Sequence, residues 1–517
     1  MPFAGLCRIL KVILIHPPVS KPSEPPAGLA RLSACLSDNF VEHRVIDANL
    51  EGMLYLMRTF VRTGMPVGRW SLRACKNLEG NLALLRNPGT FANQSRYSRA
   101  VIDINHVLNV AGQPCVNLSL SDYADHRLSP VKSDDLIRAA ENPEDNPFYS
   151  WFCVCLKDAL AECPDYIGFS LNFLSQALCT MAMIGFIKKI SPRQKILLGG
   201  SLTTSWVQIT GRTNLFPGLA DEVVTGAGED KLLKLLGINN IRKNRSTDYR
   251  LLSPNDYLSP GFVLPYSAAR GCWWQKCAFC PEHSENNPYF PMQIPCVTDE
   301  LQKLTKRHHP SLIHLLDSAI SPALLNALIK QPPGAPWYGF TRITRHLMDE
   351  DFCRALKKSG CAMLKLGMES GNQSVLDQLH KGIDLPIVEK TLKNLKKSGI
   401  SIYGYFLFGT PPENEESAFQ TLDFVCRHAN CIDFLNLAIF NLPAGSPEAK
   451  SLATEDFYDG DLSLYKNFKH PQNWQRVHVR NFLDKVFKRH PAVVPIVKRT
   501  PQFFTSNHAP FFTFPNF

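Results

Sequence analysis

Three cysteines fall within nine residues of this chain, in the run Arg270-Gly271-Cys272-Trp273-Trp274-Gln275-Lys276-Cys277-Ala278-Phe279-Cys280. Thiolates are soft ligands that select iron–sulfur clusters and zinc. Spaced C-x4-C-x2-C on one loop, the three sulfurs can wrap a single metal centre. Iron–sulfur clusters usually take four cysteines. A loop that supplies three leaves one iron without a protein ligand, and an open position is what a catalytic metal site requires. No fourth cysteine stands close by, since Cys296 lies sixteen residues after Cys280. The alternative is a structural zinc site with His283 as its fourth ligand.

A loop of this kind needs a scaffold, and the surrounding sequence supplies strands alternating with helices. Apolar runs at 262–268, 312–316, 337–341, 362–367, 402–408 and 434–440 read as six strands, with helical spacing between them, as at 385–398. Six such units predict a parallel sheet curled into an open or partial barrel, the cysteine loop following its first strand. A second alternating region precedes it. Strands are expected at 12–15, 44–47, 166–170, 195–198 and 222–225, with helices at 28–36, 175–190 and 226–236. Residues 51–155 lack a clean period and read as a mostly helical insertion. The polar stretch 238–258 reads as a linker, and 451–517 as a carboxy-terminal extension without a motif.

Composition narrows the function. The chain has 517 residues, 44% of them hydrophobic and 20% charged, which suits a globular protein of two or three domains. The net charge of +10 is spread along the chain rather than gathered into a patch, so no nucleic-acid partner is expected. The first eleven residues are broken by Arg8 and Lys11 and carry no cleavage site, and the apolar run at 177–187 is too short to span a bilayer. The sixteen cysteines then read as mostly small buried hydrophobes in a reducing cytoplasm, with no membrane partner.

The triplet resembles the cluster loop of radical S-adenosylmethionine (SAM) enzymes, usually C-x3-C-x2-C with an aromatic before the last cysteine, here Phe279. The first gap is one residue longer than usual. Leu366-Gly367-Met368-Glu369-Ser370-Gly371 with Lys381-Gly382 resembles the family's fourth-strand stretch. Gly404-Tyr405-Phe406-Leu407-Phe408-Gly409-Thr410-Pro411-Pro412-Glu413 resembles its fifth-strand turn, with Pro412 where glycine is common, and Leu442-Pro443-Ala444-Gly445-Ser446-Pro447 resembles the turn after the sixth. The resemblance covers about 260–450. It implies a [4Fe–4S] cluster on Cys272, Cys277 and Cys280, SAM at the open iron, and an external electron donor such as flavodoxin or ferredoxin. It further implies that Glu369 contacts the SAM ribose, that 406–409 pack on adenine with Gly404 and Gly409 permitting close approach, and that Asp317 meets SAM or substrate. Helix capping is the other reading of Asp317. Arg342 and Arg345 follow the third strand and suit an anionic group.

Residues 1–237 resemble the cobalamin-binding domain that precedes many radical SAM domains. The features are the opening strand with His16-Pro17-Pro18, Ile167-Gly168-Phe169-Ser170, Gly199-Gly200 and Gly226-Ala227-Gly228-Glu229. By this resemblance Ser170 bonds the lower base of cobalamin, and Gly199 and Gly200 accept its nucleotide tail. The D-x-H-x-x-G motif that places a histidine on cobalt is absent, so His16 reads as a packed loop histidine. The expected fold is α/β, with an amino-terminal Rossmann-like domain of cobalamin-binding type and a partial (β/α)6 radical SAM barrel at 259–450. The expected function is reductive cleavage of SAM followed by modification of an unactivated carbon, methylation first, on a small molecule or peptide. Alternatives are a cobalamin-free radical SAM enzyme and a non-catalytic zinc-stabilised binding protein. No residue is assigned to the bond-making step itself.

Overall fold

The computed structural model describes residues 10–238 and 246–513. The segment read for a targeting signal therefore lies almost wholly outside the described residues, as do 239–245 of the polar stretch and the last four residues. The chain divides into two compact units, one of residues up to Leu85 with Arg99–Leu258 and Asp459–Ser463, the other of Arg86–Ser98, Ser259–Tyr458 and Leu464–Phe517.

The first unit is built on five parallel strands, β1 (Lys11–His16), β2 (Glu42–Asp47), β3 (Tyr166–Ser170), β4 (Lys195–Gly199) and β5 (Glu222–Val224), in the order β2-β1-β3-β4-β5. Its central strands are continuous apolar runs because both faces are covered; Val12, Ile13 and Ile15 are fully buried. The helix Leu174–Ile190 is likewise buried almost all round. The order reverses between β1 and β3, so the crevice at their carboxyl ends, beside His16 and Ser170, is where a doubly wound sheet takes a ligand. The insertion is mostly helical and adds a small hairpin, Val116–Leu118 with Tyr123–Asp125.

The stretch read as a linker does not behave as one over 246–258. Asp248 N–H donates to the Ala30 carbonyl at 2.9 Å, and Leu258 N–H to that of Pro22 at 2.8 Å. Tyr249 is fully buried and the Tyr257 hydroxyl donates to Asp47 at 2.7 Å. Tyr249, Leu252, Tyr257 and Leu258 are all buried and pin the segment to the first unit.

The second unit carries six parallel strands in sequential order: β6 (Val263–Tyr266), β7 (Leu312–Ile320), β8 (Trp337–Thr341), β9 (Cys361–Glu369), β10 (Ser401–Phe408) and β11 (Phe434–Ile439). Among the described residues β6 and β11 do not pair with each other, so the barrel is partial. Helices such as Ile294–His308, Glu350–Lys358 and Leu385–Lys397 cover the outer face through leucines and valines. The extension forms a short antiparallel sheet with Leu442–Pro443 and then helices from Arg476 onward.

Candidate active site at the strand ends

The cysteine loop leaves the carboxyl end of β6 and is fastened at several points. The Ala268 N–H donates to the buried Asp317 carboxylate of β7 at 3.1 Å. Ala269–Arg270 pairs antiparallel with Phe290–Pro291, closing the loop on itself. The Ser318 hydroxyl donates to Glu282 at 2.6 Å. Farther along, Ala278 N–H donates to the Leu379 carbonyl at 3.1 Å and Trp274 Nε1–H to that of His380 at 3.2 Å. The Trp274 ring fills the place of a side chain at Gly382, where a Cβ would stand 2.2 Å from the indole. Gly382 also has φ of +64°, so the loop's seat depends on glycine twice over.

Cys277 is buried and Cys272 and Cys280 are half-buried. The Arg342 guanidinium, 4% exposed, donates to Cys277 Sγ at 3.5 Å and to the Lys381 carbonyl, and lies 4.1 Å from the Trp274 ring centre. Burial pushes the Cys277 thiol up, opposed by the charges of Lys381 and Arg342. Burial likewise raises Cys280 to about 11, helped by the nearby Cys277 and Cys272 thiols. The three sulfurs thus share one neighbourhood under two cations. Among the described residues no three His, Cys, Asp or Glu side chains converge closely enough to hold a single metal ion.

Glu369 ends β9 beside this loop. It is 7% exposed, its backbone lies in the left-handed region at φ 63°, and the register with β10 shifts between Gly367 and Glu369. The bulge re-aims the carboxylate toward Lys381, whose Nζ donates to Oε1 at 2.7 Å. Next to this pair stand Phe340 and Tyr405, their rings 5.2 Å apart.

The remaining expected contacts fall differently. Gly404 and Phe406 are on the opposite face of β10. The place of a Gly404 side chain is taken by the Met368 methyl, with the Phe406 ring and Leu435 alongside, and Phe406 is 1% exposed. They pack the sheet against its helices, and Tyr405 is the β10 residue on the Glu369 side. Gly409 makes the turn after β10 at φ +78°, its N–H donating to the buried Glu413 carboxyl group. Burial raises Glu413 to about 8. Asp317 tethers Ala268 rather than capping a helix. Arg342 is engaged by its own chain, whereas Arg345 is exposed.

In the first unit, Ser170 accepts from Asn172 Nδ2 at 3.1 Å, which leaves its own proton to donate. Gly199 packs beside Val224. Gly200 has φ +111° and a Cβ there would meet the Leu171 carbonyl at 2.1 Å, so its glycine is demanded by the fold itself. His16 is 7% exposed; Nε2 lies 3.0 Å from the Ser20 hydroxyl and 3.5 Å from Gln176 Nε2, and Nδ1 is buried without a partner among the described residues. Burial lowers its basicity.

Sequence reasoning passed over Lys381, Tyr405 and Glu413 as site residues. Lys381 was signalled by its place beside Gly382 and by the rule that a buried carboxylate needs a cation.

The sequence profile of the radical SAM superfamily matches residues 266–425. A bacteriochlorophyllide d C-12(1)-methyltransferase of Chlorobaculum tepidum is 28% identical over 195 residues, 36% of this chain and 41% of that one. An anaerobic magnesium-protoporphyrin IX monomethyl ester cyclase of Rubrivivax gelatinosus is 29% identical over 161 residues, 30% of this chain and 28% of that one. The chain thus matches less than half the length of these relatives. Among solved structures, the radical SAM methyltransferase TsrM of Kitasatospora setae, with cobalamin and a [4Fe–4S] cluster bound, superposes with TM-score 0.52 at 15% identity, covering 86% of this chain and 77% of that one. The cobalamin-dependent SAM radical enzyme OxsB superposes with TM-score 0.54 at 12% identity, covering 89% and 64%. At such identities the likeness is one of fold. With the cysteine loop at the end of the first of six parallel strands, residues 266–425 are a radical SAM domain.

Proposed function

We propose that this chain is a radical SAM enzyme, dependent on cobalamin, that methylates an unactivated carbon of a small molecule or peptide. The observation that carries the reading is the set of three thiols on one strand-end loop, with Arg342 and Lys381 above Cys277 and the Glu369 carboxylate at the end of β9. A [4Fe–4S] cluster supplies the electron that cleaves SAM, and cobalamin carries a methyl group.

The donor set fits a cluster. Each thiolate of a cluster binds a different iron, so the sulfurs need share a neighbourhood but not converge on one point. Arg342 and Lys381 favour the ionised thiols and the negative charge of a thiolate-bound centre. Lys381 holds Glu369 Oε1 and leaves Oε2, which has no hydrogen-bond partner among the described residues, to accept ribose hydroxyls. Glu413 fixes the Gly409 turn, and the Phe340 and Tyr405 rings offer an apolar wall beside Glu369.

In the first unit the half-exposed Ser170, Gly199 and Gly200 lie at the carboxyl ends of β3 and β4, which suits a flat polar ligand. His16 is withdrawn into the protein, so cobalamin would be held without a histidine on cobalt. The methyltransferase relatives support methyl transfer as the reaction class, and an electron donor of the flavodoxin or ferredoxin kind is implied. Nucleic acid has no place in this reading. Anaerobic reconstitution tests it. Wild type is expected to bind iron and sulfide and, once reduced, to release 5′-deoxyadenosine from SAM, whereas the Cys272→Ala/Cys277→Ala/Cys280→Ala variant does neither. Full iron content in that variant, or no 5′-deoxyadenosine from the wild type, would overturn the reading.

A further inference from the structure

The helical insertion takes no part in the site described above, yet it presents an unusual surface. The helix Ala48–Thr63 ends at Gly64, and the chain runs through Met65-Pro66-Val67-Gly68 into the helix Arg69–Lys76. Met65 is 90% exposed and Val67 84%, and Leu72, Trp70 and Val61 are exposed around them. Single exposed apolar residues are ordinary, but a cluster of large ones marks an interaction surface.

This tip is presented in an ordered way. Trp70 Nε1–H donates to the buried Asp103 carboxylate at 2.8 Å, and its ring stacks on His106 at 3.7 Å. His106 is held in turn by the Ser71 hydroxyl at 2.9 Å. Charge completes the picture. Arg58 and Arg73 are neutralised by Glu79 and Asp103. Arg62, Arg69 and Lys76 are exposed and have no carboxylate partner among the described residues.

We infer that the turn at 64–68, with the helix ends that flank it, docks the protein reversibly onto an anionic lipid surface. Side chains as exposed as Met65 and Val67 need a partner that is soft or grooved to bury them, and a lipid interface yields to them. Met65 and Val67 enter the acyl boundary, Trp70 sits at headgroup level, and the three unpaired cations meet lipid phosphates. No helix among the described residues is long and apolar enough to cross a membrane, so the contact is peripheral. The expectation of no membrane partner rested on the lack of a spanning segment and does not reach a contact of this kind.

The test is co-sedimentation of the full chain with vesicles of phosphatidylcholine alone or mixed with phosphatidylglycerol, at low and high salt. Wild type is expected to bind the anionic vesicles and to be released by salt. Met65→Asp/Val67→Asp should weaken binding by roughly tenfold or more through loss of apolar insertion. Arg62→Gln/Arg69→Gln/Lys76→Gln, which leaves the tip intact, should lose roughly fivefold per cation removed and become insensitive to salt. All these side chains face solvent, so the variants keep their fold, checked by circular dichroism. Absence of binding to anionic vesicles, or undiminished binding by both variants, would overturn the inference. So would lipid-free self-association abolished by Met65→Asp/Val67→Asp, which would assign the patch to a second copy of the chain.

Discussion

Replacing Lys381 by methionine strands the Glu369 carboxylate. The two side chains are 4% and 8% exposed, with Nζ 2.7 Å from Oε1. At an effective dielectric of 20, unit charges at that separation attract by about 6 kcal/mol, most of it offset by lost hydration. The offset fails when one partner remains: an uncompensated buried charge costs about 3–5 kcal/mol. The left-handed backbone of Glu369 adds strain that the ion pair helps hold. In a unit of this size each kcal/mol lowers Tm by about 2–4 °C, so Lys381→Met should fall by about 6–20 °C in calorimetry of the protein without cofactors. Glu369→Gln/Lys381→Met strands neither charge and should recover most of that loss, a coupling of about 2 kcal/mol or more. A fall of less than about 2 °C in Lys381→Met, or a double variant equal to the sum of the singles, would refute the reasoning.

Gly382→Ala drives a methyl into the Trp274 indole and strains a left-handed backbone; it should unseat the tryptophan, red-shift its emission and lower iron retention, and an unchanged spectrum would show that the loop is seated elsewhere. Glu413 carries its proton in the folded protein up to about pH 8, while the unfolded chain releases it in the ordinary carboxylate range. The stability it confers is therefore complete below that range and lost as pH rises through about 8. Glu413→Gln should flatten that alkaline decline of Tm, and a slope identical to wild type would count against the assignment. In the Co(II) form of the cobalamin-loaded protein, electron paramagnetic resonance should lack nitrogen splitting of the cobalt lines; splitting that vanishes in His16→Ala would place that histidine on the metal.

What could be read in advance divides by range. The strands of both sheets were legible because buried parallel strands are continuous apolar runs, as in Lys11-Val12-Ile13-Leu14-Ile15. Their lateral order was not, since pairing of β1 with β3 joins segments separated by the whole insertion. The cysteine loop was legible from local spacing. Face was the weak point on β10, where Tyr403, Tyr405, Phe406 and Phe408 put aromatics at both parities. Alternation then cannot say which side meets the helices; in the structure Phe406 packs beside Met368 and Leu435, and Tyr405 beside Phe340. The roles of Asp317 and Arg342 depend on Ala268, Cys277 and the Lys381 carbonyl, partners 39 to 65 positions away.

Those distant partners have a common logic. The cysteine loop has little regular structure of its own: the two-residue pairing of Ala269–Arg270 with Phe290–Pro291 and one turn of helix at Pro281–Ser284. Its position is set instead by the ends of other strands: Asp317 and Ser318 from β7, Arg342 after β8, and the segment carrying Leu379, His380 and Gly382 after β9. Lys381 belongs to that same segment, so the residue that neutralises Glu369 is covalently next to the seat of Trp274. Thiol placement and carboxylate placement are therefore one structural problem. A change at 379–382 is expected to disturb both, whereas Asp317 meets the loop at its entry, through the Ala268 N–H, and is no partner of the Glu369–Lys381 pair.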